Sequence, residues 1–467
     1  MASPLNPACF ASGSARDAKP IWCAHADNWR ALRETLPASA RAFAEAAGFE
    51  PEAGRLLLLP GKDGTVAGAL FAFDPPGKPA ADRLLAGKLA TVLPAGDWRF
   101  AAPPPEPQLA ALAFALGGYR FDRYRAKKSA AKKATRLELP AGVDGKELAR
   151  VIAAVFLVRD LVNMPANERG PTEIAEAARK LAAAHRAKVK VTAGAALAKN
   201  FPLVRAVGQG SARAPRVVDL LWGSPKHPKV TLVGKGVCFD TGGLDIKPDT
   251  AMQLMKKDVG GAAQALGLAS MIMDAKLKVR LRVVIPAVEN SVSGTAYRPG
   301  DVFKSRKGIS VEIGNTDAEG RLILADALAL VDEDAPELLI DFATLTGAAR
   351  VALGPDLPAA FTEDEKLAAE LMRHATAEAD PVWRLPLWRP YAAMLDSKIA
   401  DVNNISGSSF AGAITAALFL ARFVERAKAW LHFDLYAWNP KEKPGRPEGG
   451  EAQTIRALYA LLAERYA

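Results

Sequence analysis

The chain has 467 residues, half of them hydrophobic, and carries 61 Lys and Arg against 51 Asp and Glu, a formal charge of +10. Its three cysteines, Cys9, Cys23 and Cys238, form no C-x-x-C pair, which excludes a disulfide framework and a thiolate metal site. No apolar run is long enough to span a bilayer, since 151–158 stops at Arg159-Asp160.

Taken in chain order, residues 1–20 lack a basic segment followed by an apolar core, so no signal peptide is expected and the chain reads as soluble and cytoplasmic. Trp29, Leu32, Leu36 and Phe43 stand at helical spacing within 21–47. The short apolar runs 55–60 and 66–73 flank Gly61-Lys62-Asp63-Gly64 and predict strand, turn, strand. Further on, 82–92 and 109–116 read as helices, with 98–100 and 136–139 as strands. Residues 120–136 form a basic tract with Arg123, Arg125, Lys127, Lys128, Lys132 and Lys133. A solvated linker or helix face accounts for such a run, and phosphate contacts to nucleic acid are the alternative. The division between domains is placed near Pro140: an N-terminal α/β domain at 1–140, a linker helix at 141–167, and a catalytic domain at 168–467.

Beyond Pro140 the pattern alternates. Helices are expected at 145–162, 171–185, 260–273 and 322–331. Strands are expected at 189–192, 204–207, 217–222, 230–234, 279–288 and 338–344. Alternation of this kind predicts an α/β fold of two domains, the C-terminal one a mixed, largely parallel sheet covered by helices on both faces. In such sheets sites lie at the carboxyl ends of strands.

The charged residues concentrate at those ends. Asn315-Thr316-Asp317-Ala318-Glu319-Gly320-Arg321-Leu322 places two carboxylates and a guanidinium at alternate positions, on one face if the segment is extended, and Gly320 lets the backbone turn. Alone, this is equally a solvated loop with an internal salt bridge. Upstream, Lys235 follows a buried strand, Asp240 precedes two glycines, and Asp258 precedes an apolar helix, where it can also serve as an N-cap. Asp240, Asp258, Asp317 and Glu319 converging would repel one another unless cations neutralise them. Two divalent metals sharing bridging carboxylates meet that need and activate a water. Oxygen ligation suits Zn, Mn, Mg or Co. The histidines, His25, His185, His227, His374 and His432, fall outside both clusters and read as structural or exposed.

The segments VGKGVCFDTGG, IK, KKD-x-GGAA, NTDAEGRL and ATLTGAA occur in this order, flanked by RDLVNMPAN and WLHFDLYAW. Over about 159–438 the chain resembles the leucyl aminopeptidase, or cytosol aminopeptidase, family M17. The resemblance implies a metal-dependent aminopeptidase that releases N-terminal, leucine-like residues through a metal-bridging hydroxide. It implies two metals, Mn or Zn rather than Mg or Co, on Lys235, Asp240, Asp258, Asp317 and Glu319, with Asp240 and Glu319 bridging. Lys247 would polarise the scissile carbonyl, and Arg321 would hold a bicarbonate-like anion that helps move the proton. Thr344, Leu345 and Gly347 would line the substrate site, and the assembly would be a hexamer. A dipeptidase such as a Cys-Gly hydrolase on the same site, or an added DNA-binding role for the basic tract, are the alternatives.

Two departures stand out. Thr241 and Asp245 replace serines common in the family, and Asp245 brings an extra carboxylate toward Lys247. Asp434-Leu435-Tyr436-Ala437 replaces a segment of small residues, so Tyr436 is expected to reshape the pocket for the first side chain.

Overall fold

The computed structural model describes residues 9–11, 17–78, 81–126 and 135–467. The chain forms two compact units. One holds the described residues up to Ala153 together with Lys441–Glu448, and the other holds Ala154–Pro440 with Gly449–Ala467. The return of 441–448 to the first unit has no local sequence signal. It rests on a close approach: a Cβ on Gly87 would lie 2.1 Å from the Gly445 nitrogen, and Arg446 Nη2 reaches Asp82 Oδ1 at 3.0 Å.

The first unit is built on a five-stranded sheet in the order Leu56–Pro60, Val66–Ala72, Lys19–Ala24, Gly96–Phe100, Thr135–Leu137. The strand–turn–strand signal is its antiparallel hairpin, and the other pairings are parallel. Residues 21–47 divide into the strand Lys19–Ala24 and the helices Trp29–Thr35 and Ala38–Ala46, with Pro37 between the two helices. Lys127, Lys128, Lys132 and Lys133 of the basic tract lie outside the described residues.

The second unit contains a nine-stranded sheet. Its path runs Trp383–Arg384, Ala359–Phe361, Trp430–Asp434, Leu338–Ala343, Lys229–Gly234, Arg280–Asn290, Arg216–Trp222, Lys188–Thr192, and Gly236–Asp240 also pairs with Arg280–Asn290. Five strands at its centre, those ending at Gly234, Asp240, Asn290, Ala343 and Asp434, run parallel. They are Val-, Ile- and Leu-rich because both faces are covered. Val233 joins the apolar cluster around the helix Glu319–Asp332. Gly234, facing the other way, has the helix Gly260–Ala275 so close that a Cβ would lie 2.7 Å from Ala262 Cα. No helix among the described residues is long and apolar enough to cross a membrane.

One expected strand is a helix. Residues 204–207 belong to the helix Pro202–Gly208. A four-residue segment, here Val-Arg-Ala-Val, is too short for periodicity to distinguish the two. The deciding contact is remote: the Asp326 carboxylate accepts hydrogen bonds from the first-turn amides of Leu203 at 2.8 Å and Val204 at 3.3 Å, and from Arg306 N at 2.8 Å. Asp326 thus does the work of a helix cap from another helix.

Candidate metal centre

The parallel strands converge on one cavity of about 250 Å³ at their carboxyl ends, and Lys235, Asp240, Lys247, Asp258, Asp317 and Glu319 all line it. Each gets there for a local reason. Lys235 follows the strand Lys229–Gly234 and is held by Lys235 N donating to Phe342 O at 2.9 Å. Asp240 ends the strand Gly236–Asp240, and its Oδ1 accepts from Gly242 N and from Asn290 Nδ2, both at 2.8 Å. Asp258 sits in the turn of 3₁₀ helix Met255–Val259. The helix behind it is capped at Val259 with no side-chain bond, so Asp258 is not its cap. Its Oδ1 accepts instead from Thr344 Oγ1 at 2.7 Å.

The segment 315–322 differs from its expected form. Asp317 lies in a turn, and Glu319 opens the helix Glu319–Asp332, so Asp317, Glu319 and Arg321 do not alternate along an extended face. Gly320 is helical, and its lack of a side chain serves packing: a Cβ there would meet Lys235 Nζ and Cε at 2.6 Å. Arg321 is buried, donating from Nη1 to Asn404 O at 2.7 Å, while its Nε has no hydrogen-bond partner. Burial pushes the Arg321 guanidinium down to about 10.

Asp240, Asp317 and Glu319 each present a ligand oxygen within 4.8 Å of the others. Lys235 Nζ lies 2.9 Å from both Asp258 Oδ2 and Glu319 Oε1, and it donates to Thr344 O at 2.7 Å. Lys247 Nζ lies 2.8 Å from Asp240 Oδ2 and pairs with Asp317. Burial would push Lys235 down, but Asp258, Glu319 and Asp240 outweigh it and hold the ammonium above the usual lysine range. Burial and then the neighbouring Asp240 raise Glu319 to about 8 and Asp317 to about 6. Asp258 is also buried, yet the Lys235 and Lys257 ammoniums bring it below its ordinary value. Burial lowers Lys257 to about 8 against the pull of Asp258.

This donor set fits a divalent cation. Glu319 is 1% exposed and its Oε2 has no hydrogen-bond partner among the described residues, a costly state for a buried carboxylate oxygen. A cation between Asp240, Asp317 and Glu319 would satisfy it and relieve the mutual repulsion of the three.

The remaining expected residues divide. Thr344, Leu345 and Gly347 line the cavity, as does Tyr436. Asp245 makes no ion pair with Lys247: its Oδ2 accepts from Thr316 N at 2.7 Å and Thr316 Oγ1 at 3.2 Å, tying the 241–247 loop to the 315–318 turn. His432 is fully buried, pairing through Nδ1 with Asp341 Oδ1 at 2.6 Å, and neither lines the cavity.

Several functional contributors carry no motif. Asn290 ends a central strand, is fully buried, and also donates to Thr316 O at 3.0 Å, so it joins Asp240 to the turn that carries Asp317. Its place at a strand's carboxyl end was the available signal. Asp434 accepts from Leu345 N, Thr346 N and Thr346 Oγ1 at 3.0, 3.1 and 2.6 Å, which fixes the loop carrying Thr344 to Gly347. Lys257 and Arg350 also line the cavity.

Comparison with known proteins agrees with this geometry. Residues 156–459 match the family described as the cytosol aminopeptidase family, catalytic domain, and residues 19–140 match the M17 aminopeptidase N-terminal domain. The chain is 42% identical over 365 residues to a probable cytosol aminopeptidase of Roseiflexus castenholzii, covering 75% of this chain and 74% of that one. The crystal structure of a cytosol aminopeptidase from Coxiella burnetii superposes with TM-score 0.93 at 44% identity, covering 99% of this chain and 100% of that one. The bottromycin maturation enzyme BotP in complex with Mn superposes with TM-score 0.86 at 32% identity, covering 96% of this chain and 99% of that one.

Proposed function

The chain belongs to the M17 cytosol aminopeptidase family of metal-dependent peptidases, and from that membership we propose how its residues divide the work of removing one amino acid from the N-terminus of a peptide. Lys235, Asp240, Asp258, Asp317 and Glu319 would hold two divalent cations, Mn or Zn ahead of Mg or Co, with Asp240 and Glu319 as the carboxylates placed to serve both. When bound, such ions supply Lewis acidity and an activated water. The carboxylates supply the negative field that receives the free amine of the substrate and so fixes the cut after the first residue. Lys247 meets the negative charge that develops on the scissile carbonyl oxygen. Arg321, whose buried Nε has no hydrogen-bond partner, would hold a bicarbonate-like anion, which would supply a proton-accepting group there. Thr344, Leu345 and Gly347 seat the substrate backbone. Residues 1–140 form an N-terminal domain, 141–167 a linker helix and 168–467 the catalytic domain. The working assembly is a cytoplasmic homohexamer.

The observation that carries this reading is the convergence of Asp240, Asp317 and Glu319 within 4.8 Å at the carboxyl ends of parallel strands, with a buried Glu319 oxygen unpartnered. The test compares Leu-Gly-Gly with its N-acetyl form, with and without a chelator. Cleavage of the free peptide alone, lost on metal removal and restored by Mn or Zn, is expected. Equal cleavage of both peptides, or full activity after verified metal removal, overturns the assignment.

A further inference from the structure

One end of the same cavity carries positive charge that neither the metal cluster nor the protein's own ion pairs absorb. Lys257 is 4% exposed and lines the cavity, yet it makes no ion pair or side-chain hydrogen bond with another described residue. Its neighbour Asp258 is committed to Lys235 and to Thr344. Lys257 Nζ lies 4.9 Å from the centroid of the Tyr436 ring, and Arg350 Cζ lies 5.0 Å from the same centroid. Arg350 also lines the cavity and forms no ion pair with a described residue. The electron-rich ring attracts both cations, by less than a buried ammonium loses on leaving water. Two like charges are therefore gathered at one ring, the buried one and the exposed one alike without an ion-pair partner among the described residues. An anionic group of the substrate supplies the counter-charge.

We propose that Lys257, Arg350 and Tyr436 select peptides whose first residue bears a side-chain carboxylate, aspartyl or glutamyl, rather than the leucine-like residue that the family resemblance implies. The inference rests on the aminopeptidase reading above. Lys257 is adjacent in sequence to Asp258, a member of the carboxylate cluster that receives the substrate amine. The first side chain branches one bond from that amine and so falls beside Lys257. The peptide's far C-terminus leaves on the other side of the scissile bond. Ala251 and Met255, which share the lining, give the aliphatic stem of a glutamyl residue an apolar contact. Tyr436 occupies the position where the sequence departs from small residues, so the departure and the charge belong to one device.

The experiment measures kcat/KM for glutamyl, glutaminyl and leucyl p-nitroanilides with the metal-loaded wild type and with Lys257→Met and Arg350→Gln. Glutaminyl matches glutamyl in shape and isolates the charge. A wild-type preference for glutamyl over glutaminyl of about 10- to 100-fold is expected, the span for one hydrogen bond to a charged group. Lys257→Met should collapse that ratio, and Arg350→Gln, more exposed, should reduce it by less. A second arm compares Leu-Gly with Leu-Gly-amide. A strong preference for the free carboxylate that disappears in Lys257→Met would assign the cations to the peptide's C-terminus and overturn the proposal. Equal or faster cleavage of glutaminyl and leucyl substrates by the wild type also overturns it, while leaving the aminopeptidase reading intact. Cleavage of none of the substrates by metal-loaded wild type would instead sink the aminopeptidase reading, and this inference with it. Thermal unfolding of each variant verifies that it is folded before its ratio is read.

Discussion

Lys235 and Gly320 fit together across the metal cluster: the lysine's terminal carbon and nitrogen occupy the space a Cβ on Gly320 would need, at 2.6 Å. Gly320 lies in the first turn of its helix, where alanine alone would favour the helical state by up to about 1 kcal/mol. Gly320→Ala should therefore preserve the helix and displace the lysine. The expected outcome is an unfolding midpoint near wild type with metal content reduced and turnover lower by about 10²-fold, the effect of a misplacement near 1 Å. A variant with wild-type turnover would show that Lys235 does not need its present position.

Asn290 holds Asp240 against the 315–318 turn through two bonds from one nitrogen. Asn290→Ala removes both and leaves a ligand free to rotate. Outer partners of metal ligands are worth about 10- to 100-fold in affinity, and that loss is expected for Mn by titration calorimetry. Asn290→Asp should leave the metal-free protein less stable still, because it adds a carboxylate beside Asp240, and excess metal should recover more of its stability. Unchanged Mn affinity in Asn290→Ala would remove Asn290 from the site.

Lys235 and Lys247 both pair with carboxylates of the cluster, yet only Lys235 is assigned as a ligand. A ligating lysine donates its lone pair, and arginine does not lose its proton to do so. Lys235→Arg should lose one metal per chain. Lys247→Arg keeps its charge and changes its reach, so both metals should stay while turnover falls. Metal analysis of the two dialysed proteins decides it, and two tightly held ions in Lys235→Arg would refute the ligand assignment.

Asp326 provides a stability prediction away from the metals. Burial pushes its carboxyl up to about 7, against three backbone amides that favour the ionised form. The unfolded value is about 3.9. Between these values the folded chain holds a proton the unfolded chain has lost, so this group's contribution to stability falls as pH rises from about 4 to 7. The full effect is on the order of 4 kcal/mol. Asp326→Asn cannot titrate. The stability difference between wild type and Asp326→Asn, measured by denaturant unfolding, should shift against the wild type across that window. A difference independent of pH would mean the carboxyl does not change protonation there.

The site was legible to the degree that its chemistry lies within short, charged segments next to glycine. Lys235, Asp240, Asp258, Asp317 and Glu319 all reach one cavity, and the periodic segment 171–185 forms the helix Pro171–His185. Where a residue's role depends on a distant partner, the sequence was silent or misleading. Asp245 accepts a hydrogen bond from Thr316, because the loop turns its side chain toward a backbone amide 71 residues away. Asn290 looks like any polar strand end until Asp240 is placed against it. Lys257 stands in the sequence only as part of the segment KKD-x-GGAA, and its place beside the Tyr436 ring is set by a residue far along the chain.

The carboxylate of Asp326 sits 123 residues after the helix amide it holds. That helix, Pro202–Gly208, has 7 residues, well under the roughly 12 to 15 at which a helix persists alone in water. A ribosome adding about 5 to 20 residues per second reaches Asp326 roughly 6 to 25 s after Leu203. During that interval the emerging chain carries 202–208 as an exposed, unformed apolar stretch, whereas the first sheet is already complete at Leu137. Synthesis therefore leaves 202–208 waiting for a partner made well after it, and a chaperone that shields apolar segments has that interval in which to act there.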